Sequence, residues 1–163
     1  MRETPSEEAS ESDGPRVVAI HVAKATRLPM RAVEAVEVEA GRGLVGDRYH
    51  GTRHRHVTIQ ATGELEEAAR RHGAPIDPGA TRRNLTIDAE SVPRKPGTRF
   101  RVGAIDVEVV RDAAPCKLLE DVLGRDARLA LSRRAGVVCR VQSSGTLRVG
   151  DGVEFESEGE HEE

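Results

Sequence analysis

The run RFRVGAIDVEVVRDAAPCKLLEDVLG, residues 99–124, decides how this chain folds. Arg99 to Val102 and Ile105 to Arg111 read as two strands joined at Gly103. Pro115 cannot donate to a β ladder and biases the residue before it away from helix, so the second strand ends there. Leu118, Leu119, Val122 and Leu123 then recur at helical spacing, predicting a helix over Cys116 to Leu123 that Gly124 stops. Cys116 is thereby set at a strand-to-helix corner. A thiol in the first turn of a helix meets unpaired N–H groups and the positive end of the dipole, which favour the thiolate, the form that attacks and binds metals. A second reading stands beside this one: free cysteine is often a small buried hydrophobe.

Outward from this run, the same pattern repeats. Val17 to Ala23, Ala35 to Ala40, Val57 to Gln60, Leu85 to Ile87, Val137 to Gln142, Leu147 to Val149 and Val153 to Phe155 read as short strands. Gly41 to Asp47 reads as a glycine-rich turn segment. Glu64 to His72 is helical, with Leu65, Ala68 and Ala69 on one face and Gly73 as its stop. Ala127 to Arg134 is a further helix, with Asp126 as a plausible cap and Gly136 as its stop. Many short strands, regular turns and few helices predict a mainly-β barrel or sandwich.

The chain of 163 residues fits one domain, and its two cysteines make no disulfide framework. No apolar run reaches the roughly 18 residues that a membrane helix needs. The acidic, polar N-terminus does not read as a signal peptide, so the expected setting is the reducing cytoplasm, with no membrane partner. Charge is uneven. Residues 1–15 carry a net −4 and residues 156–163 a net −5, leaving +6 on residues 16–155. The two ends are predicted as disordered acidic tails around one folded domain at 16–155. The basic charge is nearly all arginine, 22 against 3 lysines, and arginine forks suit phosphate and carboxylate. The same bias also fits a solvated surface. Aromatic content of 2% argues against base-stacking, so nucleic acid is not an expected partner.

Taken in order, a set of short motifs resembles the MOSC domain. The motifs are Pro29-x-x-x-Val33, Gly43-Leu44-x-Gly46-Asp47-Arg48, Arg55-His56-Val57-Thr58, Arg82-x-Asn84-Leu85, Gly97 to Val102-Gly103, Pro115-Cys116, Gly136-Val137 to Arg140-Val141, and Gly145 to Val149-Gly150-Asp151. The resemblance spans about residues 16–155. This domain forms the C-terminal part of molybdenum cofactor sulfurases, stands alone in bacteria, and occurs within amidoxime-reducing molybdoenzymes. The resemblance implies a closed or nearly closed mainly-β barrel with a few short helices. It implies a molybdenum cofactor of the molybdopterin type, with Cys116 as the catalytic thiol, either carrying sulfur or ligating molybdenum. A soft thiolate suits both tasks.

The pterin carries a phosphate, so the resemblance makes Arg55, Arg82 and Arg140 its contacts, with Asn84 at the ring edge and Asp47 orienting an arginine or accepting from the pterin. Turn-making is the competing role for Asp47 and Asn84. The chain is too short to hold the sulfurase's pyridoxal-phosphate domain as well, so no pyridoxal phosphate is expected. A free-standing domain of this type implies an electron donor or a cysteine-desulfurase partner, or an oligomer that completes the site. Two function classes follow: a sulfur carrier or molybdenum-dependent reductase of N-hydroxylated compounds, and a non-catalytic module that delivers the cofactor.

Two further groupings compete. His50, His54 and His56 lie within seven residues, and imidazole is the commonest transition-metal ligand. The competing reading is a polar loop with exposed histidines. Cys139, between Val137, Val138 and Val141, reads as core.

Overall fold

A computed structural model describes residues 14–115 and 117–155. Among the described residues, eleven strands occur in chain order: β1 (Val17–Val22), β2 (Arg31–Val33), β3 (Ala35–Glu39), β4 (Gly43–Leu44), β5 (Val57–Ala61), β6 (Leu85–Ile87), β7 (Arg99–Val102), β8 (Ile105–Asp112), β9 (Val137–Val141), β10 (Gly145–Arg148) and β11 (Val153–Phe155). Helix α1 (Thr62–His72) follows β5, and α2 (Lys117–Leu123) and α3 (Arg125–Ala130) lie between β8 and β9. The fold is mainly β. Eight strands form one sheet in the order β11-β7-β8-β9-β5-β6-β1-β2, and β10-β3-β4 form a second.

The large sheet curls until its two sides meet. Arg16 bridges Gly152, Val17 N donates to Asp151 O at 2.8 Å, and Val153 N donates to Pro15 O at 2.8 Å. The start of β1 thus touches the start of β11 and nearly closes a barrel. Closure removes exposed ladder edges. Inside, alternate residues from the strands form a continuous aliphatic core that includes Ile20, Ile59, Leu85, Val107 and Cys139. The small sheet adds Val36, Val38, Leu44 and Leu147 to that core.

Strand β5 (VTIQA) is buried along its whole length. Its neighbours explain why a strand carrying Thr58 and Gln60 sits so deep. One face, Val57, Ile59 and Ala61, points into the barrel. The other meets a helical layer. Gln60 Nε2 donates to Thr86 Oγ1 at 2.9 Å and to Pro78 O at 3.2 Å, and Thr81 Oγ1 donates to Gln60 Oε1 at 2.7 Å. Strands β5 and β6 run parallel, so the chain must cross over; α1 and the 3₁₀ turn Pro78–Thr81 make that crossing. A second apolar cluster, built on Leu65, Ala68, Ile76, Leu119 and Leu131, seals the helices onto the barrel.

Most predicted elements lie within one or two residues of the observed ones, and α1 stops at a left-handed Gly73. Four readings are corrected. Gly43–Leu44, within the expected turn, pairs with β3 as a short strand. The helix expected over Ala127 to Arg134 spans Arg125–Ala130 and is capped by Gly124, with Asp126 inside its first turn. Its end comes early because the chain turns through Leu131–Arg134, where Arg133 adopts a φ of 63°. The strand expected over Leu147 to Val149 begins at Gly145, where β3 offers a full partner strand. Arg31–Val33 was not legible as a strand, since it is mostly exposed and owes its form to pairing with β1.

A candidate anion site on the barrel wall

Of the predicted site residues that the structure describes, Asp47, Arg55, Arg82 and Arg140 lie on or beside a tight loop. Asp47 begins it. Its Oδ1 accepts from Ala23 N at 3.1 Å and from Arg48 Nη1 at 3.0 Å, and its Oδ2 accepts from Tyr49 N at 3.3 Å. Asp47 thus pairs with Arg48 and takes the Tyr49 amide within its own turn. The Arg48 and Asp47 side chains are 5% and 0% exposed. Arg48 Nη2 donates onward to the Arg82 carbonyl at 3.3 Å.

Tyr49 links this inner pair to the next layer. The Arg48 guanidinium carbon lies 4.6 Å from the Tyr49 ring centroid, and that of Arg55 lies 4.2 Å from it. Both distances are within cation–π range. Adjacent to Arg55, His54 Nδ1 lies 3.3 Å from Nη1 of Arg140, which projects from β9. Arg82, half-buried with a φ of 65°, donates from Nη2 to Thr26 O at 2.6 Å. These contacts, together with the chain link from His54 to Arg55, join Arg140, His54, Arg55, Tyr49, Arg48 and Arg82 into one basic region. Nε of Arg48 and Nε of Arg140 are buried and meet no hydrogen-bond partner among the described residues. Buried donors left unmet are costly, so these two mark places where an acceptor would be stabilised.

Asn84 lies beneath this surface. Its Oδ1 accepts from Thr58 N at 2.9 Å and Thr58 Oγ1 at 3.2 Å, and its Nδ2 donates to His21 O at 3.0 Å. An amide oxygen has two lone pairs and the nitrogen two hydrogens. One Nδ2 hydrogen is left for any further acceptor, and the main visible task of Asn84 is tying β5 to β1.

Cys116 lies outside the described residues. The residues leading to it are held by an arginine that sequence reasoning passed over. Arg83, buried to 2% exposure, donates from Nε to Ala135 O at 2.7 Å and from Nη2 to Ala114 O at 2.9 Å and Ala113 O at 3.4 Å. It clamps the end of β8, just before Pro115, to the start of β9. Gly136 completes the clamp, since a Cβ there would run into the Ile59 carbonyl. Arg48 and Tyr49 were also missed. The signal for Arg48 was its place beside Asp47 in Gly46-Asp47-Arg48; for Tyr49 it was being the sole tyrosine.

The three histidines reach separate partners. His50 Nε2 lies 2.7 Å from Glu39 Oε1, and His54 faces Arg140. His56 is buried; its Nδ1 accepts from Val141 N at 3.0 Å, so its Nε2–H donates to Thr52 O at 3.0 Å. Burial holds its pKa below the ordinary 6.5; the Thr52 bond opposes this, and Arg140, His54 and His50 add to it. No group of three or more His, Cys, Asp and Glu fit to hold a metal ion occurs among the described residues. Cys139 is fully buried, and desolvation pushes its thiol far above the usual range. A separate cleft of mixed charge is lined by Glu64, Glu90, Arg94 and Arg133. In it, burial raises the Glu64 pKa against the pull of Arg94, 2.7 Å away. No helix among the described residues is long and apolar enough to cross a membrane.

Comparison with known proteins agrees with this architecture. The family model for the MOSC domain matches residues 46–154. The YuaD protein from Bacillus subtilis superposes with a TM-score of 0.70 at 18% identity, covering 87% of this chain and 97% of that one. YiiM from Geobacillus stearothermophilus gives 0.68 at 19% identity, covering 89% and 76%. YiiM from Escherichia coli gives 0.62 at 17%, covering 87% and 70%. At such identities these structures speak to the fold alone. No curated protein sequence matches the chain.

Proposed function

Because the chain belongs to the MOSC domain family, we propose that it binds a molybdenum cofactor through this arginine surface and works on it with Cys116. The observation that carries the reading is the buried, unmet Nε of Arg140 beside His54, on a surface joined to Arg48, Arg55 and Arg82. The donor set fits a pterin bearing a phosphate: arginine forks present paired N–H groups to phosphoryl oxygens. Arg55, Arg82 and Arg140 would hold the phosphate. Asp47 would act through Arg48, keeping that guanidinium pinned. Asn84 would offer one N–H at most.

When bound, the cofactor supplies two-electron redox chemistry and a metal that takes sulfur ligands. The chain supplies the rest. Arg83 anchors the backbone of Ala113 and Ala114, a few residues before Cys116 in the sequence. A soft cysteine sulfur suits either ligation of molybdenum or carriage of sulfur as a persulfide. The proposed activity is sulfur transfer, or reduction of N-hydroxylated compounds with electrons from a donor protein, in the cytoplasm. A desulfurase would be the partner in the sulfur-transfer case.

The test is to produce the protein in a host that makes the cofactor, then measure molybdenum and pterin fluorescence. Stoichiometric molybdenum and pterin, lost together in Arg140→Ala, are expected. Protein free of both from such a host overturns the reading. Turnover of a hydroxylamine by loaded protein marks the enzyme; transfer to an apo-enzyme without turnover marks the delivery module.

A further inference from the structure

Three residues around Tyr49 form a layered arrangement whose parts are unequal. The inner cation, Arg48, is nearly buried, and its Nη atoms face inward: one toward Asp47, the other toward the Arg82 carbonyl. Its charge is balanced by Asp47 at 3.0 Å. Tyr49 lies against it, and Arg55 lies against the same ring. Two bare guanidiniums on one ring would repel each other. Neutralising one through a buried carboxylate lets the other stack.

The loop backbone is held without the ring. Arg48 N donates to Ala23 O at 2.8 Å, Gly51 N to Arg42 O at 2.8 Å, and Thr52 N to Tyr49 O at 3.1 Å. Thr52 Oγ1 lies within hydrogen-bond distance of the Tyr49 and Arg55 carbonyls, at 2.9 Å and 3.0 Å. The half-buried Tyr49 side chain is therefore not needed to shape the turn. Its ring meets both guanidiniums.

We propose that Tyr49 is a positioning residue: its ring, backed by the pinned Arg48, holds the Arg55 guanidinium in place for a phosphoryl anion. This rests on reading the arginine surface as an anion site. An arginine side chain loses considerable rotamer freedom on binding, and one already stacked loses less. The π face, not the hydroxyl, supplies the effect. Tyr49→Phe should therefore behave as the parent, while Tyr49→Leu should not.

The experiment is titration of the purified full chain with inorganic phosphate, by calorimetry and by ³¹P resonance shift, at two salt concentrations. Thermal midpoints are recorded for each variant. Saturable binding by the parent and by Tyr49→Phe, weakened about five- to tenfold in Tyr49→Leu at an unchanged thermal midpoint, is the expected result. Tyr49→Met, which fills the space without a π face, serves if Tyr49→Leu unfolds and should show the same weakening. Equal affinity in parent and Leu or Met variants overturns the role of Tyr49 while leaving the anion site standing. No saturable binding by the parent, with Tyr49 intact, overturns the anion site itself.

Discussion

Arg48 Nη1 and Asp47 Oδ1 are 3.0 Å apart, and both side chains are almost wholly buried. Such a pair is weak evidence of net stability, because desolvating two charges cancels much of their attraction. Its loss on one side is another matter. Asp47→Ala leaves Arg48 buried without its counter-charge and also frees the Ala23 and Tyr49 amides. A loss of about 3–5 kcal/mol is expected in urea unfolding. A loss below about 1 kcal/mol would show that Arg48 escapes to solvent.

Arg83 should be as costly to remove. Arg83→Met removes the donor to the carbonyls of buried Ala113 and Ala135 and of exposed Ala114. The expected loss is on the order of 3 kcal/mol, from unmet acceptors. Arg82→Met, one residue earlier, should cost far less stability, since Arg82 is half-exposed and donates from Nη2 to Thr26 O at the surface. Parallel unfolding of the two variants checks the contrast.

Arg82→Lys and Arg140→Lys test recognition in place of stability. Lysine keeps the charge and loses the fork. Each should weaken phosphate or cofactor binding by roughly ten- to hundredfold, at about 1.5–3 kcal/mol for a charge-assisted contact. Parent-like affinity and salt dependence in both variants would place the site elsewhere.

Acid should destabilise the fold through His56. Protonation of Nδ1 removes the acceptor used by Val141 N. Its folded pKa lies below the ordinary 6.5, chiefly through burial. The neutral form is thus favoured by folding. The contribution is complete above about pH 6.5 and is lost as pH falls from there through the folded value. His21, lowered by burial against the opposing pull of Asp77, acts in the same direction. The melting temperature should fall between pH 7 and pH 5. His56→Asn should start lower and show a flatter profile over that range; an unchanged slope would remove His56 as the cause.

Native-state alkylation should label Cys116 before Cys139. Cys139 is fully buried with its thiol pushed strongly up, so it offers almost no thiolate. Cys116→Ala should abolish sulfur loading or turnover while moving the melting temperature little. Preferential labelling of Cys139, read by mass mapping, would reverse the assignment.

Much of the barrel was legible because its cause is local. Leu85–Ile87, Arg99–Val102 and Val153–Phe155 are the strands that β-branched runs and turn residues predict. The ordered motifs pointed to the family, and the buried place of Cys139 followed from its valine neighbours. Tertiary structure decided what depends on partners far along the chain. β2 exists through β1, and β5 is buried on both faces because Asn84 meets Thr58 and the Pro78–Thr81 turn meets Gln60. Arg82 and Arg83 are adjacent and alike in sequence. The left-handed φ at Arg82 and the carbonyls waiting 30 to 52 residues away send Arg83 inward and leave Arg82 half-exposed. Periodicity reports which face of an element is apolar; it carries no information on which distant carbonyl or ring a polar side chain will meet, since that is set only when the sheet closes.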